Sequence, residues 1–471
     1  MRDESGLFGG FSGSEGTGSD SSFPGTAPPP GPPSRVRSAE ALARARRSVA
    51  GGDSSTMRVL PYHLPVVADR GEGPYLFDID GNRYIDLNMS YGPLLFGHRP
   101  EFLVRRMVRQ LTEHGSQLGF PTQLTYRVAE KLKALFPSME RMRFANSGTE
   151  AIASAIRLAR YQSGRNGLVL FEGHYHGWSE AVFHKYHAPL KALGREPGEP
   201  ALPGTAGMHG FRDAYLAPWN DIDALARCLD RHSGTIGAVI MEPVMGNAGV
   251  IAPLPGYLQQ VRELTRERGI LLIFDEVITG MRVAAGGAQE RFGVAPDITV
   301  VSKVLGGGVP IAAFGASELL FEPIANGSLF HGGVYSGNAL VLAAAEAVLD
   351  EIAARGQALY DQLESHARLL ADGLDTVLSA HQLPHYVQHV GPLVSMMLTK
   401  DHVERLDDYR AVRRHGDFER YIRLEHAMLD HGIYVHPNMF EPLFPSATHG
   451  EAEIAEVLNR FEDSVRACLN H

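Results

Sequence analysis

Residues 271–308 constrain this chain more than any other stretch. They open with LLIFDEVITGM, pass through a less regular segment and close with PDITVVSKVLGGG. The apolar run Leu271–Phe274 stops abruptly at Asp275-Glu276. A second β-rich run, Ile298–Val301, stops at Ser302-Lys303 and three glycines. Short continuous apolar runs bounded by turn residues fit strands buried on both faces. A carboxylate and an amine therefore stand at the ends of two buried strands, and in open α/β sheets ligands bind at that end. Two readings follow. One is a buried ion pair between the strands. In the other, Asp275 holds a ring nitrogen protonated and Lys303 forms a Schiff base, which is the pairing that pyridoxal phosphate (PLP) chemistry requires.

Composition limits the alternatives. A chain of 471 residues can bury a large core in two or more lobes. A net charge of -10 without a long basic block argues against nucleic acid. Cys228 and Cys468 give neither a disulfide framework nor a metal spacing, which fits a reducing cytoplasm. No apolar run reaches the roughly 20 residues of a membrane span, and the first residues lack signal-peptide order. Residues 1–37, rich in Gly, Ser and Pro, are expected to be a disordered leader.

A helix is expected over Ser38–Ser48, followed by an extended, proline-punctuated segment to Val67 in which Arg58 is the only cation. Asp80-Gly81 between two alternating runs predicts a hairpin. Helices are expected from Glu101 to about His114 and over Gln123–Leu135. From Met142 onward strands alternate with helices: Met142–Phe144, Leu168–Phe171, Ile236–Met241, Leu271–Phe274, Ile298–Val301 and Ile311–Phe314. That alternation predicts a mostly parallel sheet covered on both faces. A long helix should run from Ala339 to Ala354, and an amphipathic helix from Glu451 should end the chain.

Several strand ends carry candidate chemistry. Ser147-Gly148-Thr149 precede a helix whose apolar face is Ile152, Ala155, Ile156 and Ala159. A helix start of this kind offers free N–H groups to a phosphate, or else Ser147 is an ordinary N-cap. His174-Tyr175-His176 has no motif or cysteine that would make it a metal pair, so no metal is expected. Tyr175 offers a ring to lie on a planar cofactor, or packs in the core. His176 would hydrogen-bond near the cofactor's phenolic oxygen or structure the loop.

The segments NSGTEA, FEGHYHGW, EPVMGNAG, LLIFDEVITGMR and PDITVVSKVLGGGVPIAAFG together resemble the class III PLP-dependent aminotransferases. Within them the chain is most similar to the glutamate-1-semialdehyde aminomutase and β-amino-acid aminotransferase branch, over residues 38–471. The resemblance implies fold type I: an α/β fold with a mostly parallel, seven-stranded-type sheet in a large domain, 96–345. A smaller α+β domain, 346–471, is joined by the segment 38–95. It implies PLP as cofactor, with Lys303 as the internal aldimine and proton shuttle and Asp275 on the pyridine nitrogen. Val277 and Tyr175 would cover the two ring faces, and Ser147, Gly148 and Thr149 would hold the phosphate. His176, Glu242 and Asn247 would line the cofactor site, and Glu441 the substrate end. The family forms homodimers, with a loop matching Gly332–Asn338 reaching the neighbouring subunit's phosphate. Where the family has a threonine hydroxyl, this chain has Val334, after Gly333. Tyr91 and Trp178 are further substrate-side candidates, and Trp178 and Trp219 suggest a reshaped pocket. Arg58 is either a surface cation or a clamp for a substrate carboxylate.

The activity implied is transfer of an amino group, through pyridoxamine phosphate, from a small-molecule amino donor to the aldehyde or ketone of a small polar acceptor. Val334 and Trp178 favour this reading over the alternative, glutamate-1-semialdehyde 2,1-aminomutase, in which the amine moves within one molecule. A non-catalytic PLP-binding regulator would need a DNA-binding module, and the acidic balance and the leader supply none.

Overall fold

The computed structural model describes residues 33–184, 187–193 and 213–469, with Ser34–His471 as one compact unit. Most of the predicted leader, residues 1–32, lies outside the described residues. Its last part does not stay in a leader: the first helix, Val36–Ala45, starts two residues before Ser38. The Asp80 carboxylate accepts from the Arg37 and Ser38 amides at 2.8 and 2.9 Å, satisfying donors that a helix start leaves open.

A seven-stranded sheet runs in the spatial order Arg141–Ala145, Ala312–Ala316, Ile298–Val301, Leu271–Glu276, Ile236–Met241, Gly167–Phe171, Ala214–Ala217. All neighbours are parallel except Ala312–Ala316, which is antiparallel to both of its partners. Every residue of Ile236–Met241 and Ile298–Val301 is buried. Burying each large aliphatic side chain is worth roughly 1.5–3 kcal/mol, so these strands form a stiff floor. Ala214–Ala217 escaped the sequence reading. Four residues, two of them alanine, do not make a recognisable apolar run.

Register aligns the strand ends. Asp275 lies beside Val300 and Glu276 beside Val301, so Asp275 and Lys303 leave the sheet at the same edge. Because Ala312–Ala316 is antiparallel to both neighbours, Arg141–Ala145 points the same way as Ile298–Val301 and delivers Ser147 to that edge too. The helix Gly148–Ser163 then buries Ile152, Ala155, Ile156 and Ala159 and stops at Gly164, whose φ of 63° is the left-handed closure expected there.

A second sheet joins distant parts of the chain. Tyr75–Asp78 and Arg83–Asp86 form the predicted hairpin, Ala68–Glu72 flanks it, and Ile433–Tyr434 adds in parallel. His385–Val390 and Leu393–Leu398 form a separate antiparallel pair. The helical run expected to end at Ala354 extends over Ala339–Ala380 and breaks at Gly356, where φ is 56° and ψ -146°. Among the described residues no helix is long and apolar enough to cross a membrane.

Candidate active site

The site grows from the sheet's carboxyl edge. Asp275 and Glu276 are consecutive on a strand, so their side chains point to opposite faces. Glu276 is fully buried and spent on structure. Its carboxylate accepts from Thr279 Oγ1 at 2.6 Å and from the Ala288 and Gln289 amides at 2.7 and 3.0 Å. Asp275 is 4% exposed. Its Oδ2 accepts a hydrogen bond from His176 Nδ1 at 2.7 Å, and its Oδ1 accepts from the Val277 amide at 3.0 Å. A carboxylate accepts only, so the proton of His176 sits on Nδ1. His176 is therefore bonded to Asp275, a partner the sequence did not indicate.

A second buried carboxylate organises the loop that carries Tyr175. Glu242 Oε1 accepts from the Tyr175 amide at 2.8 Å, and Oε2 accepts from the Gly246 amide at 3.0 Å and from Asn247 Nδ2 at 3.1 Å. The Glu242 amide donates to His174 Nδ1 at 2.9 Å. Burial, with Asp275 acting the same way, pushes the Glu242 carboxyl up to about 7, against the pull of His176 and its hydrogen bonds. The loop also presses on the phosphate-type helix start. A Cβ on Gly177 would stand 2.5 Å from Thr149 Oγ1, and one on Gly148 would stand 3.2 Å from Val277 Cγ2. Ser147 Oγ accepts from the Glu150 amide at 3.2 Å, so the N-cap reading of Ser147 is satisfied, while the helix start remains part of the same edge.

Lys303 differs from these residues. Its φ is 40°, a left-handed conformation that costs a non-glycine residue on the order of 1–3 kcal/mol and persists only where the surroundings enforce it. Ser302 Oγ donates to the Ile311 carbonyl at 2.8 Å and the Leu305 amide to the Ser302 carbonyl at 2.9 Å, which clamps the turn. Among the described residues no carboxylate lies within 4.0 Å of Lys303 Nζ, and the partner of Asp275 is His176. The ion pair between strands is therefore absent. Burial lowers the proton affinity of Lys303, while Glu441, Glu242 and Asp275 raise it; the net direction is down. Burial pushes Glu441 up to about 7, against Lys303.

The remaining candidates divide. Tyr91 has a φ of 67°, and its hydroxyl donates to the Met57 carbonyl at 3.1 Å, next to Arg58. Arg58 pairs with Asp53 at 2.6 Å and is half-exposed. Trp178 is 71% exposed and Val334 78%. Gly333 is exposed too, and the Val334 carbonyl accepts from Gln117 Nε2. Trp219 does not shape a pocket. It is buried in the core, with ring centroids 4.7 Å from His174 and 5.0 Å from Tyr257, behind the loop. Sequence reasoning missed Arg282, Phe444 and His436. All three are buried within or beside this constellation.

The model of the family "Aminotransferase class-III" matches residues 57–465. The chain belongs to the class III aminotransferase family. A curated relative, the glutamate-1-semialdehyde 2,1-aminomutase of Salinibacter ruber (strain DSM 13855 / M31), is 38% identical over 418 residues, covering 88% of this chain and 93% of the relative. An omega-transaminase from Sphaerobacter thermophilus superposes with a TM-score of 0.84 at 30% identity, over 92% of this chain and 98% of that one. A glutamate-1-semialdehyde aminomutase from Pseudomonas aeruginosa PAO1 superposes with a TM-score of 0.81 at 27% identity, over 92% and 94%. Class III aminotransferases are enzymes that use PLP, and this chain has their fold type I architecture.

Proposed function

We propose that this enzyme is an intermolecular aminotransferase that moves an amino group from an amino donor to the aldehyde or ketone of a small polar acceptor. The observation that carries the reading is Lys303: a strained, largely buried amine with no ion-pair partner among the described residues, at the same sheet edge as the imidazole-backed Asp275. The donor set fits PLP. Lys303 would carry it, Asp275 would engage its ring nitrogen, and Ser147, Gly148 and Thr149 would take its phosphate. Tyr175 and Val277 would flank its ring, with Glu242 and Asn247 lining the site. When bound, PLP supplies an aldehyde that condenses with amines and a ring that accepts the electron pair left when a Cα proton departs.

The chain's residues supply the rest. Asp275 keeps its charge directed at one point because both oxygens are tethered, and His176 holds its rotamer. Lys303 Nζ takes the substrate proton and returns it. Burial favours the neutral amine that this task needs. Glu441 and Tyr91 stand at the substrate end. The rings of Tyr91, His436 and His63 sit in sequence, with centroids 5.3 Å apart at each step, and form an aromatic wall there. Arg58, engaged with Asp53, would swing to a substrate carboxylate, and Trp178 would line the substrate side.

The homodimer belongs to this proposal. Phe330, Val334 and Tyr335 expose large apolar side chains on and beside the loop Gly332–Asn338, where a second copy would cover them. The lobes 96–345 and 346–471 and a cytoplasmic location are proposed with it. Pairing of Ile433–Tyr434 with Arg83–Asp86 supports the joining of the N-terminal segment to the C-terminal lobe.

A second reading, glutamate-1-semialdehyde 2,1-aminomutase, is supported by the name of the 38% identical relative. One experiment separates them. Protein loaded with pyridoxamine phosphate is given glutamate 1-semialdehyde without a donor. Rapid formation of 5-aminolevulinate supports the aminomutase. Donor-dependent turnover of other carbonyl compounds, with no such product, supports the aminotransferase.

A further inference from the structure

Arg282 is fully buried, yet among the described residues no carboxylate lies within 4.0 Å of it. Its Nη2 donates to the Gly92 carbonyl, while Nε and Nη1 have no partner among the described residues. Buried cations are ordinarily paired, so this one calls for an explanation.

The surroundings place it firmly. Met281, just before it, has a φ of 57°, and the Met281 carbonyl accepts from Tyr360 Oη at 3.0 Å. The Arg282 amide donates to the Thr279 carbonyl at 3.1 Å. The guanidinium carbon lies 5.2 Å from the centroid of the Phe444 ring, and Lys303 Nζ lies 5.9 Å from the same centroid. One aromatic ring thus has the Arg282 guanidinium and the Lys303 amine near it. Gly92 packs against this ring as well: a Cβ there would stand 2.8 Å from Phe444 Cε1.

Gly92 ends an unusual turn. Met89, Ser90 and Tyr91 have φ values of 46°, 58° and 67°, three successive non-glycine residues in the left-handed region. Asp86 Oδ1 accepts from the Asn88 and Met89 amides at 2.9 Å each, and Asn88 Oδ1 accepts from the Tyr91 amide at 2.7 Å. Arg282 is the clamp on the far side.

We infer that Arg282 is a positioning residue: beside the Phe444 ring that it shares with Lys303 it opposes a positive charge on that amine, and through the Gly92 carbonyl it holds the turn that presents Tyr91. This inference rests on the role proposed for Lys303. The charged and titratable groups that face Lys303 are Glu441, Glu242 and Asp275, which favour its proton, and Arg282, which opposes it. Tyr360 faces Arg282 from the long helical run and favours its charge. Burial brings the Arg282 guanidinium down to about 9, which leaves it cationic at pH 7. Burial is the larger influence on Lys303, and the Arg282 charge acts in the same direction, against the three carboxylates.

Two variants separate the two effects. Arg282→Gln removes the charge and keeps an N–H donor for Gly92. Arg282→Lys keeps the charge and loses the planar fork. The first measurement uses the full-length chain stripped of cofactor. Its lysines are dimethylated with 13C-formaldehyde, and the resonance absent from Lys303→Ala is titrated by NMR. In Arg282→Gln this amine should titrate higher by about half a pH unit or more, a threefold fall in its neutral fraction. The acidic limb of the kcat pH profile in the holoenzyme should move up by the same amount. Arg282→Lys should leave the titration in place and raise KM by about fivefold through a loosened Tyr91. An unchanged titration in Arg282→Gln overturns the inference, as does a shifted titration in Arg282→Lys. If Arg282→Gln does not fold, Arg282→Met takes its place, and an unchanged titration there overturns the inference. Failure of the Lys303 proposal itself would show separately, as a holoenzyme whose visible band and activity survive Lys303→Ala.

Discussion

The two sides of the candidate site are built on opposite plans. On the acidic side, Asp275, Glu242 and Glu276 are saturated: each carboxylate accepts at least two hydrogen bonds from fixed donors on the sheet edge. On the basic side, Lys303 and Arg282 are starved. Neither has a carboxylate within 4.0 Å among the described residues, and both sit next to or on left-handed backbone. The contrast teaches a division of labour. Saturated groups hold position. An unsatisfied amine is free to bond to a ligand and to exchange protons, and its burial keeps it nucleophilic.

Breaking the starved side should cost most. Lys303→Ala is expected to lower turnover by on the order of 10⁴-fold and to abolish the lysine-dependent visible band of the bound cofactor, checked by single-turnover kinetics and absorbance. The saturated side should respond in two grades. Asp275→Asn keeps the shape and removes the charge, so kcat should fall by about 10²–10³-fold with modest change in thermal stability. His176→Leu leaves the charge in place and frees its rotamer, so a smaller loss of about 10–100-fold in kcat is expected, with weaker retention of cofactor on dialysis. Equal losses for Asp275→Asn and His176→Leu would mean that the imidazole and the carboxylate act as one unit, which would sharpen the comparison in a different direction.

The smallest effect is on stability. Burial raises the Glu441 carboxyl from its ordinary 4.5 to about 7 in the folded chain. The folded state then binds more protons than the unfolded one between these values. Stability from this group is fully present below about 4.5 and is lost as pH rises toward 7. Glu441→Gln removes that dependence. Its advantage over the parent should therefore grow from pH 4.5 to pH 7, reaching about 3 kcal/mol at most, as read from urea midpoints of cofactor-free protein. An advantage that shrinks over this interval would show that Glu441 is ionised and paired in the folded state.

Much of this was legible in the sequence, for identifiable reasons. Ile236–Met241 and Ile298–Val301 could be read to the residue, because burial on both faces leaves an unbroken apolar run. Gly164 and the Asp80-Gly81 turn were legible because left-handed closures favour glycine. Strand direction was not: nothing in the apolar pattern of Ala312–Ala316 distinguishes an antiparallel strand from a parallel one. Trp219 was misread because a tryptophan in a loop-rich segment looks the same whether it lines a pocket or backs a wall. His176 was assigned to the site, but its bond to Asp275 spans 99 positions and no local spacing encodes it. Arg282 was invisible for a further reason. An arginine after a strand reads as a surface cation, and only the packing of Gly92, Phe444 and Tyr360 around it reveals a buried one.

The central claim is that Lys303, and no other lysine, carries the cofactor. Protein reconstituted with PLP and reduced with borohydride should, after proteolysis, carry one pyridoxyl mass increment, on the peptide containing Lys303. The increment on a different lysine, or none despite a cofactor band before reduction, would contradict it.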